Sequence, residues 1–529
     1  MDIMKIIEDG NTVLGLELGS TRIKAVLTDT EGNPVDSGSF GWENSNKDGI
    51  WTYPLEQVWE GISASYRNLK NNIRKNYNIS LSSFKAGGFS AMMHGYLVFD
   101  RNDQLLTPFR TWRNNITAEA SEKLTNLFQY PVPQRWSIAH LYQAILNNEE
   151  HIKDIAYMTT LSGYVHWKLT GRKVLGIGDA SGMFPIEIDS GNYDEEMLDK
   201  FDSLISSEKL SWEIRDILPE VLKAGDSAGE LTDTGAALID PDGILKAGIP
   251  LCPPEGDAGT GMVATNSIRV KTGNVSAGTS VFAMLVMEKK PEKLHSEIDL
   301  VTTPDGKLVG MAHSNNCTSD YDAWIGLFGE AAESLGADFS TAKLYDTLLG
   351  KALESDPDAG GLLTYSYISG EHITGFSEGR PLFVRKPESN FTLSNFMRSL
   401  LYSSLCALRA GLNVLIEEEG VEVKEIRGHG GFFKTPETGQ RIMAAATGIP
   451  VSLLETSGEG GAWGMALLAS YLLKKETGIS LTDFVDKILK GSAGKPFKPL
   501  KEDIEGFNKY FQRYMKGLDV ERSAVENLD

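Results

Sequence analysis

A strand–turn–strand that occurs twice constrains this chain more than any other feature in it. The first copy, residues 14–29, reads LGLELGSTRIKAVLTD, and the second, residues 274–286, reads NVSAGTSVFAMLV. Both centre on a glycine followed by two hydroxyl residues, Gly19-Ser20-Thr21 and Gly278-Thr279-Ser280. The two glycines stand 259 positions apart, close to half of a 529-residue chain. Such a turn can approach an anionic phosphate closely, because glycine carries no Cβ and the hydroxyls add donors to the backbone N–H groups. One turn in each half implies two related lobes gripping one polyphosphate. Two unrelated hairpins are the alternative that either copy leaves open by itself.

A chain of this length exceeds one hydrophobic core and calls for at least two large domains. It is 41% hydrophobic and carries a net charge of −21, from 51 Lys+Arg against 72 Asp+Glu. That balance opposes nonspecific binding to nucleic acid or anionic membranes, both of which need basic patches, and still permits a local basic pocket for a nucleotide. Cys252, Cys317 and Cys406 lie far apart with no CxxC pair, which opposes a disulfide framework, a zinc ribbon or an iron–sulfur site and fits a reducing cytosol. The N-terminal residues lack a signal-peptide h-region, and the longest apolar stretch, 399–416, contains Arg409 and reads as a buried helix. A cytoplasmic protein is expected.

Strands are expected over 13–18, 23–28 and 35–40, then a helix over 55–77 with Val58, Ile62, Tyr66 and Leu69 on one face. Strands at 86–90 and 97–100 follow, then helices at 118–127, 138–147, 157–169 and 193–204. After the second hairpin come helices at 321–335, 341–353 and 393–419, a strand at 423–428, the turn HGGFFK, a helix at 438–447 and a strand at 450–454. A Gly/Ala-rich helix, EGGAWGMALLASYLL, closes the pattern. The whole reads as a duplicated α/β fold with its main boundary near 266–270.

These segments together resemble the FGGY carbohydrate kinases of the actin-like, ribonuclease-H-like ATPase superfamily. The resemblance rests on LGLELGSTRIKAVLTD, on YVHWKLTG followed by GDASGM, on GIPLCPPEGDAGTGMVAT, on NVSAGTS, and on RGHGGFFKTPETGQRIMAAATGIPV followed by EGGAWGMALLA. It implies two actin-like domains with a cleft between them, an N-terminal sugar-binding domain over 1–268 and a C-terminal ATP-binding domain over 269–529. It also implies transfer of phosphate from ATP, with Mg²⁺, to a sugar hydroxyl of a ketose such as a pentulose, or of a related polyol. A homodimer stays open.

Carried over position by position, the resemblance makes Asp257 the general base, also near substrate and metal. A cap for the helix that follows is its alternative role. Glu17 stands where the family usually carries Asp and would hold a magnesium-bound water, its extra methylene lengthening the reach. Gly19, Ser20, Thr21 and Lys24 on the first hairpin, Gly278 and Thr279 on the second, and Gly430, Gly431 and Phe432 at the adenosine turn would bind ATP. Lys24 reads equally as a solvated strand residue, and Phe432 or Phe433 as core. Met93 and His94, in Met-His-Gly, would line the sugar pocket. The family's Trp-x-Asp-x-Arg is replaced here by TWRNNIT, with Asn114 and Ile116 in place of the acid and the arginine. Arg113, displaced in register, would favour an acidic or differently shaped polyol. No Walker A pattern or strand-linked GxGxxG is present. A nucleotide-binding regulatory protein of the same superfamily without sugar turnover is the second reading. An activator ATPase carrying an iron–sulfur cluster is opposed by the cysteine spacing.

Overall fold

In a computed structural model of the chain, residues 3–454, 460–491 and 494–528 are described. Two compact units form. The first comprises Met1–Ile268, Asp299–Val309 and Gly458–Lys490, and the second Arg269–Ile298, Gly310–Ser457 and Gly491–Asp529. The first unit is therefore not one continuous stretch, because the chain returns to it twice.

In the first unit, β1 (Thr12–Leu18), β2 (Arg22–Asp29) and β3 (Pro34–Gly41) form an antiparallel meander. Helix α1 (Leu55–Tyr77) packs on it through Val58, Ile62, Tyr66, Leu69 and Ile73, all fully buried at helical spacing. The approach is close because Gly61 and Gly38 face the contact. A Cβ on Gly61 would fall 2.4 Å from Ile23 Cδ1, and one on Gly38 2.3 Å from the Leu69 backbone nitrogen. Strand β4 (Ala86–Ala91) runs parallel to β1, and the short β5 (Glu255–Gly256) parallel to β4. The sheet order is thus β5-β4-β1-β2-β3. Helix α2 (Leu161–Thr170) and helix α3 (Asp257–Ala264) follow from the same half. A helix far along the chain, Gly460–Leu472, returns to lie on β1 and β4. Its Ala462 carbonyl and Ala466 nitrogen would stand 2.0 and 2.4 Å from a Cβ on Gly15, and Trp463 Nε1 donates to the Gly32 carbonyl at 2.8 Å.

The second unit repeats the topology. Strand β6 (Thr272–Ala277) pairs antiparallel with β7 (Val281–Val286), next to which lies β8 (Leu308–Ser314). Helices α4 (Ser319–Ser334) and α5 (Leu393–Asn413) precede β9 (Glu425–His429), parallel to β6. After helix α6 (Thr438–Thr447), β10 (Val451–Leu453) runs parallel to β9. These five strands lie in the order β10-β9-β6-β7-β8, the order of the first sheet. Helix α7 (Lys501–Lys516) and a helix over Leu518–Asn527 follow in the same unit. Helix α5, extended by a π-turn at Val414–Glu418, is the one helix among the described residues long and apolar enough to cross a membrane, and it lies largely inside this unit. There Arg398 pairs with Asp503 at 3.1 Å, and Arg441 Nε meets the same carboxylate at 2.6 Å.

Two expected elements change. Residues 157–169 do not form one helix: Tyr157–Thr159 is a strand paired with Leu97–Phe99, and α2 begins at Leu161, where the Thr160 side chain caps Gly163. The expected helix over 193–204 starts at Glu195, capped by Asp194. The first residue of EGGAWGMALLA, Glu459, lies outside the described residues.

Candidate active site

The first unit gathers a set of carboxylates around the ends of β1, β4 and β5. Glu17 lies near the end of β1 and pairs across the hairpin with Lys24. Asp257 opens α3 directly after β5, and its Oδ1 accepts the Met93 backbone N–H at 3.1 Å, which ties the loop after β4 to the carboxylate. A side chain at position 256 would collide with Met93, its Cβ only 2.1 Å from Met93 Cγ, so Gly256 is what lets that loop close on Asp257. The Ala462 N–H, in the first turn of the Gly460–Leu472 helix, points at Glu17. Gly461 leaves room for it, since a Cβ there would sit 2.2 Å from Glu17 Oε1 and 2.8 Å from Thr260 Oγ1.

Burial and mutual repulsion dominate the electrostatics. Glu17 is pushed up to about 7, first by burial and then by the Asp257 charge, with the Ala462 N–H and Lys24 pulling back. Asp257 is pushed up to about 6 by burial, against backbone N–H groups that include Met93. Behind them stand two fully enclosed acids. Asp179 accepts from Thr160 Oγ1 at 2.7 Å and from Ser162, and is raised to about 7 by burial, with Asp257 adding to the shift. Glu255 accepts the N–H groups of Gly178 at 3.3 Å and Asp179 at 3.0 Å, and burial followed by the Asp179 charge raises it to about 8. Gly176 and Gly178 make the space it occupies, since a Cβ at either would lie 2.4 Å from a Glu255 oxygen.

His94 and Gly95 both adopt left-handed backbone, φ 67° and 97°, a conformation that non-glycine residues hold only where the surroundings enforce it. The buried His94 ring stacks on Trp136 with centroids 6.4 Å apart, and its Nδ1 lies 3.1 Å from the Gly182 carbonyl. A carbonyl only accepts, so Nδ1 carries the proton in this bond, and in the neutral tautomer Nε2 is then an acceptor. The segment from Asp179 to Gly182 thus supports both His94 and the acid cluster.

The first glycine turn is braced by aromatic side chains. Its Gly19 and Ser20 carbonyls accept Trp42 Nε1 at 2.7 Å and Tyr53 OH at 2.6 Å. Trp112 Nε1 donates to Ser20 Oγ at 3.3 Å, leaving the hydroxyl proton for another acceptor. Thr21 is exposed. In the second unit the Gly278 and Thr279 carbonyls accept the N–H groups of Thr318 and Cys317, and a Cβ on Gly278 would meet only open space. Gly430, at φ 103°, passes so close to β6 that a Cβ would sit 2.3 Å from the Ala277 carbonyl oxygen. Gly431 beside it is exposed. Phe432 is 2% exposed and packs against Tyr321 and Phe433, so its ring belongs to the interior and adenine stacking by it is corrected to a core role. Asn114 is likewise spent on structure, holding Trp51 N and O and the Thr111 carbonyl. Arg113 stacks on Trp51 at 3.9 Å and donates to Asn44, while Ile116 is 40% exposed. The three cysteines are free and buried.

Models of two domains match this chain: the FGGY N-terminal domain over residues 12–263 and the FGGY C-terminal domain over 273–473. The chain belongs to the FGGY family of carbohydrate kinases. A xylulose kinase of Staphylococcus xylosus is 21% identical over 475 residues, 87% of this kinase and 90% of that protein. A glycerol kinase of Thermococcus gammatolerans is 24% identical over 288 residues, 51% and 53% of the two chains. The crystal structure of ligand-bound xylulose kinase from Lactobacillus acidophilus matches the fold with a TM-score of 0.78 at 17% identity, covering 98% of this chain and 99% of that one. The kinase is thus an ATP-dependent carbohydrate kinase with a mixed α/β fold of the actin-like, two-domain kind.

Glu17, Asp257, Met93 and His94 come together in the first unit, with the 19–21 turn and Lys24 on the adjoining hairpin. Gly278, Thr279, Gly430 and Gly431 belong to the second. Asp179, Glu255, Thr260, Trp136 and Gly461 pack beside these candidate residues, and sequence reasoning did not single them out. The signal is present in part: GDASGM and PPEGD both stand out in the sequence, but only the fold shows that the glycines of GIGD make room for the glutamate of PPEGD.

Proposed function

We propose that this kinase transfers the γ-phosphoryl group of ATP to a hydroxyl of a small ketose, such as a pentulose, or a related polyol, with Asp257 as the base. The observation that carries the reading is the hydrogen bond from Met93 N–H to Asp257 Oδ1, which fixes the carboxylate against the loop that presents Met93 and His94. Xylulose kinases among the relatives support the ketose, and a glycerol kinase among them keeps the polyol in range.

Asp257 would accept the hydroxyl proton as the oxygen bonds to phosphorus and the bond from phosphorus to the ADP oxygen breaks. A loose transition state asks for a positioned acceptor more than a strong base. His94 Nε2, as an acceptor, would hold a second sugar hydroxyl, and Trp136 would keep its ring in place. The glycine–hydroxyl turns and Lys24 would donate to phosphate oxygens. Glu17 and Asp257 fit a magnesium ion, being two part-buried carboxylates whose repulsion a divalent cation relieves. Among the described residues no group of three or more His, Cys, Asp or Glu forms a cage, as suits an ion that keeps waters and phosphate oxygens. When bound, the ion would supply positive charge to the phosphates.

ADP release measured over pentuloses, hexuloses, polyols and sugar acids tests the reading. A pentulose should be the best acceptor, and Asp257→Asn should lower kcat on it by about 10²–10⁴-fold with ATP binding retained by calorimetry. Equal turnover by wild type and Asp257→Asn would remove Asp257 as the base. ATP binding without a phosphorylated product from any acceptor would favour the regulatory alternative.

A further inference from the structure

Helix α4 presents two faces with different fates. Tyr321 turns inward onto Phe432, beside the Gly430-Gly431 turn. Asp320, Trp324 and Leu327, spaced i, i+4, i+7, line an open hollow of about 330 Å³ on another face, together with Ile368, Pro381 and Leu382. That volume is within the range of small-molecule sites. Trp324 is held in place by an edge contact with Phe396, ring centroids 4.9 Å apart at 80°. Leu327 and Ile368 are each 53% exposed, so the rim is apolar and open.

Asp320 sets the chemistry. The residue is 5% exposed, lines the hollow, and makes no hydrogen bond or ion pair among the described residues. Burial alone pushes its carboxyl up to about 6, with no donor to offset it. An enclosed carboxylate without a partner costs stability, and the helix start at Ser319 accounts for its tolerance but not for its aim into an apolar hollow. Apart from the Trp324 indole N–H, which only donates, the walls offer no other polar side chain to a ligand. We propose that this hollow binds a small organic cation, a primary ammonium carried on an aromatic or branched apolar body. The ammonium donates to Asp320 while the body lies against Trp324, Leu327 and Ile368. None of the residues assigned to the sugar, metal or ATP lines the hollow.

The test uses the full-length protein and 2-phenylethylamine, with 2-phenylethanol as its neutral counterpart, followed by calorimetry and by tryptophan fluorescence. Saturable amine binding with a Kd of about 1 mM or tighter is expected for a ligand of this size. The alcohol should bind about tenfold more weakly, because it lacks a charge-assisted hydrogen bond. Asp320→Asn should erase that preference and leave kinase turnover unchanged. Leu327→Arg, at an exposed position, should block the amine by placing a cation in the hollow. Equal binding of amine and alcohol, retention of the preference in Asp320→Asn, or displacement of the amine by ATP would each overturn the proposal. So would self-association of the wild type that Leu327→Arg abolishes, since a second copy of the chain would then occupy the hollow.

Discussion

Gly464 lies where the Gly460–Leu472 helix crosses α3, and its replacement by alanine probes the packing that carries Asp257. The added Cβ would fall 2.1 Å from the Thr260 carbonyl oxygen and 2.9 Å from its carbon. The first distance is about 1.4 Å short of a normal contact. Both sides of this contact are backbone, so no rotamer relieves it and the helices must part. Overpacking of this kind costs about 1–3 kcal/mol, and a rigid overlap belongs at the upper end. Alanine returns about 1 kcal/mol through helix propensity, leaving a net loss of about 2 kcal/mol. A melting midpoint lower by about 3 °C is expected for a unit of this size, read by calorimetry on the full-length protein. Because α3 starts at Asp257, kcat should fall as well. Gly461→Ala is the counterpart. Its Cβ meets the far end of the Glu17 side chain, which can swing away. That variant should keep its melting point and lose affinity for Mg²⁺-ATP. Gly326→Ala, on exposed helix α4 with nothing within 4 Å of the new Cβ, should gain up to about 1 kcal/mol. An unchanged midpoint in Gly464→Ala, or a fall in Gly461→Ala as large as that expected for Gly464→Ala, would refute the account of this crossing.

The coupled acids Glu17 and Asp257, raised to about 7 and about 6, should give kcat/KM a rise between pH 5 and 8 as both ionise, with Glu17→Gln moving the acid limb to lower pH. For Asp179 and Glu255 the folded state holds protons more tightly than the unfolded one, so stability falls as pH rises from about 4 toward 8. Glu255→Gln should flatten that slope in a pH series of melting curves. Asn114→Ala removes the bonds to Trp51 and Thr111 and should cost about 1–3 kcal/mol by urea unfolding without reordering the acceptor panel. Asp503 opposes its own burial through Arg441 and Arg398, which leave it below the usual carboxylate range. Its support is therefore lost only as pH falls through that lowered value, and Asp503→Asn at neutral pH should destabilise by about 3–5 kcal/mol.

Local pattern carried the fold far. Helix α1 has the bounds that its apolar spacing predicts, because one buried stripe and the left-handed Asn78 at its end fix both register and length. Both hairpins form for the same local reasons. Residues 157–159 escaped because their apolar run suits helix or strand equally, and only pairing with Leu97–Phe99 decides it. At the site, Asp257 and Glu17 were legible through the resemblance, whereas Asp179 and Glu255 were not. Their meaning lies in a contact across some 76 residues of chain, where two glycines on one segment make room for a carboxylate on the other. Phe432 misled because an aromatic beside a glycine turn has the same local signature whether it stacks on a base or fills a core.

The Gly460–Leu472 helix also sets a timetable. Strands β1 and β4 are made well before the helix that lies on Gly15 and Gly88. At about 5–20 residues per second, the roughly 440 residues between β1 and that helix take about 20–90 s of elongation. Through that interval the nascent sheet carries an uncovered apolar face with small-residue grooves. A ribosome-stalled chain ending near residue 450 should therefore recruit holdase chaperones, and one extended well past residue 490 should release them.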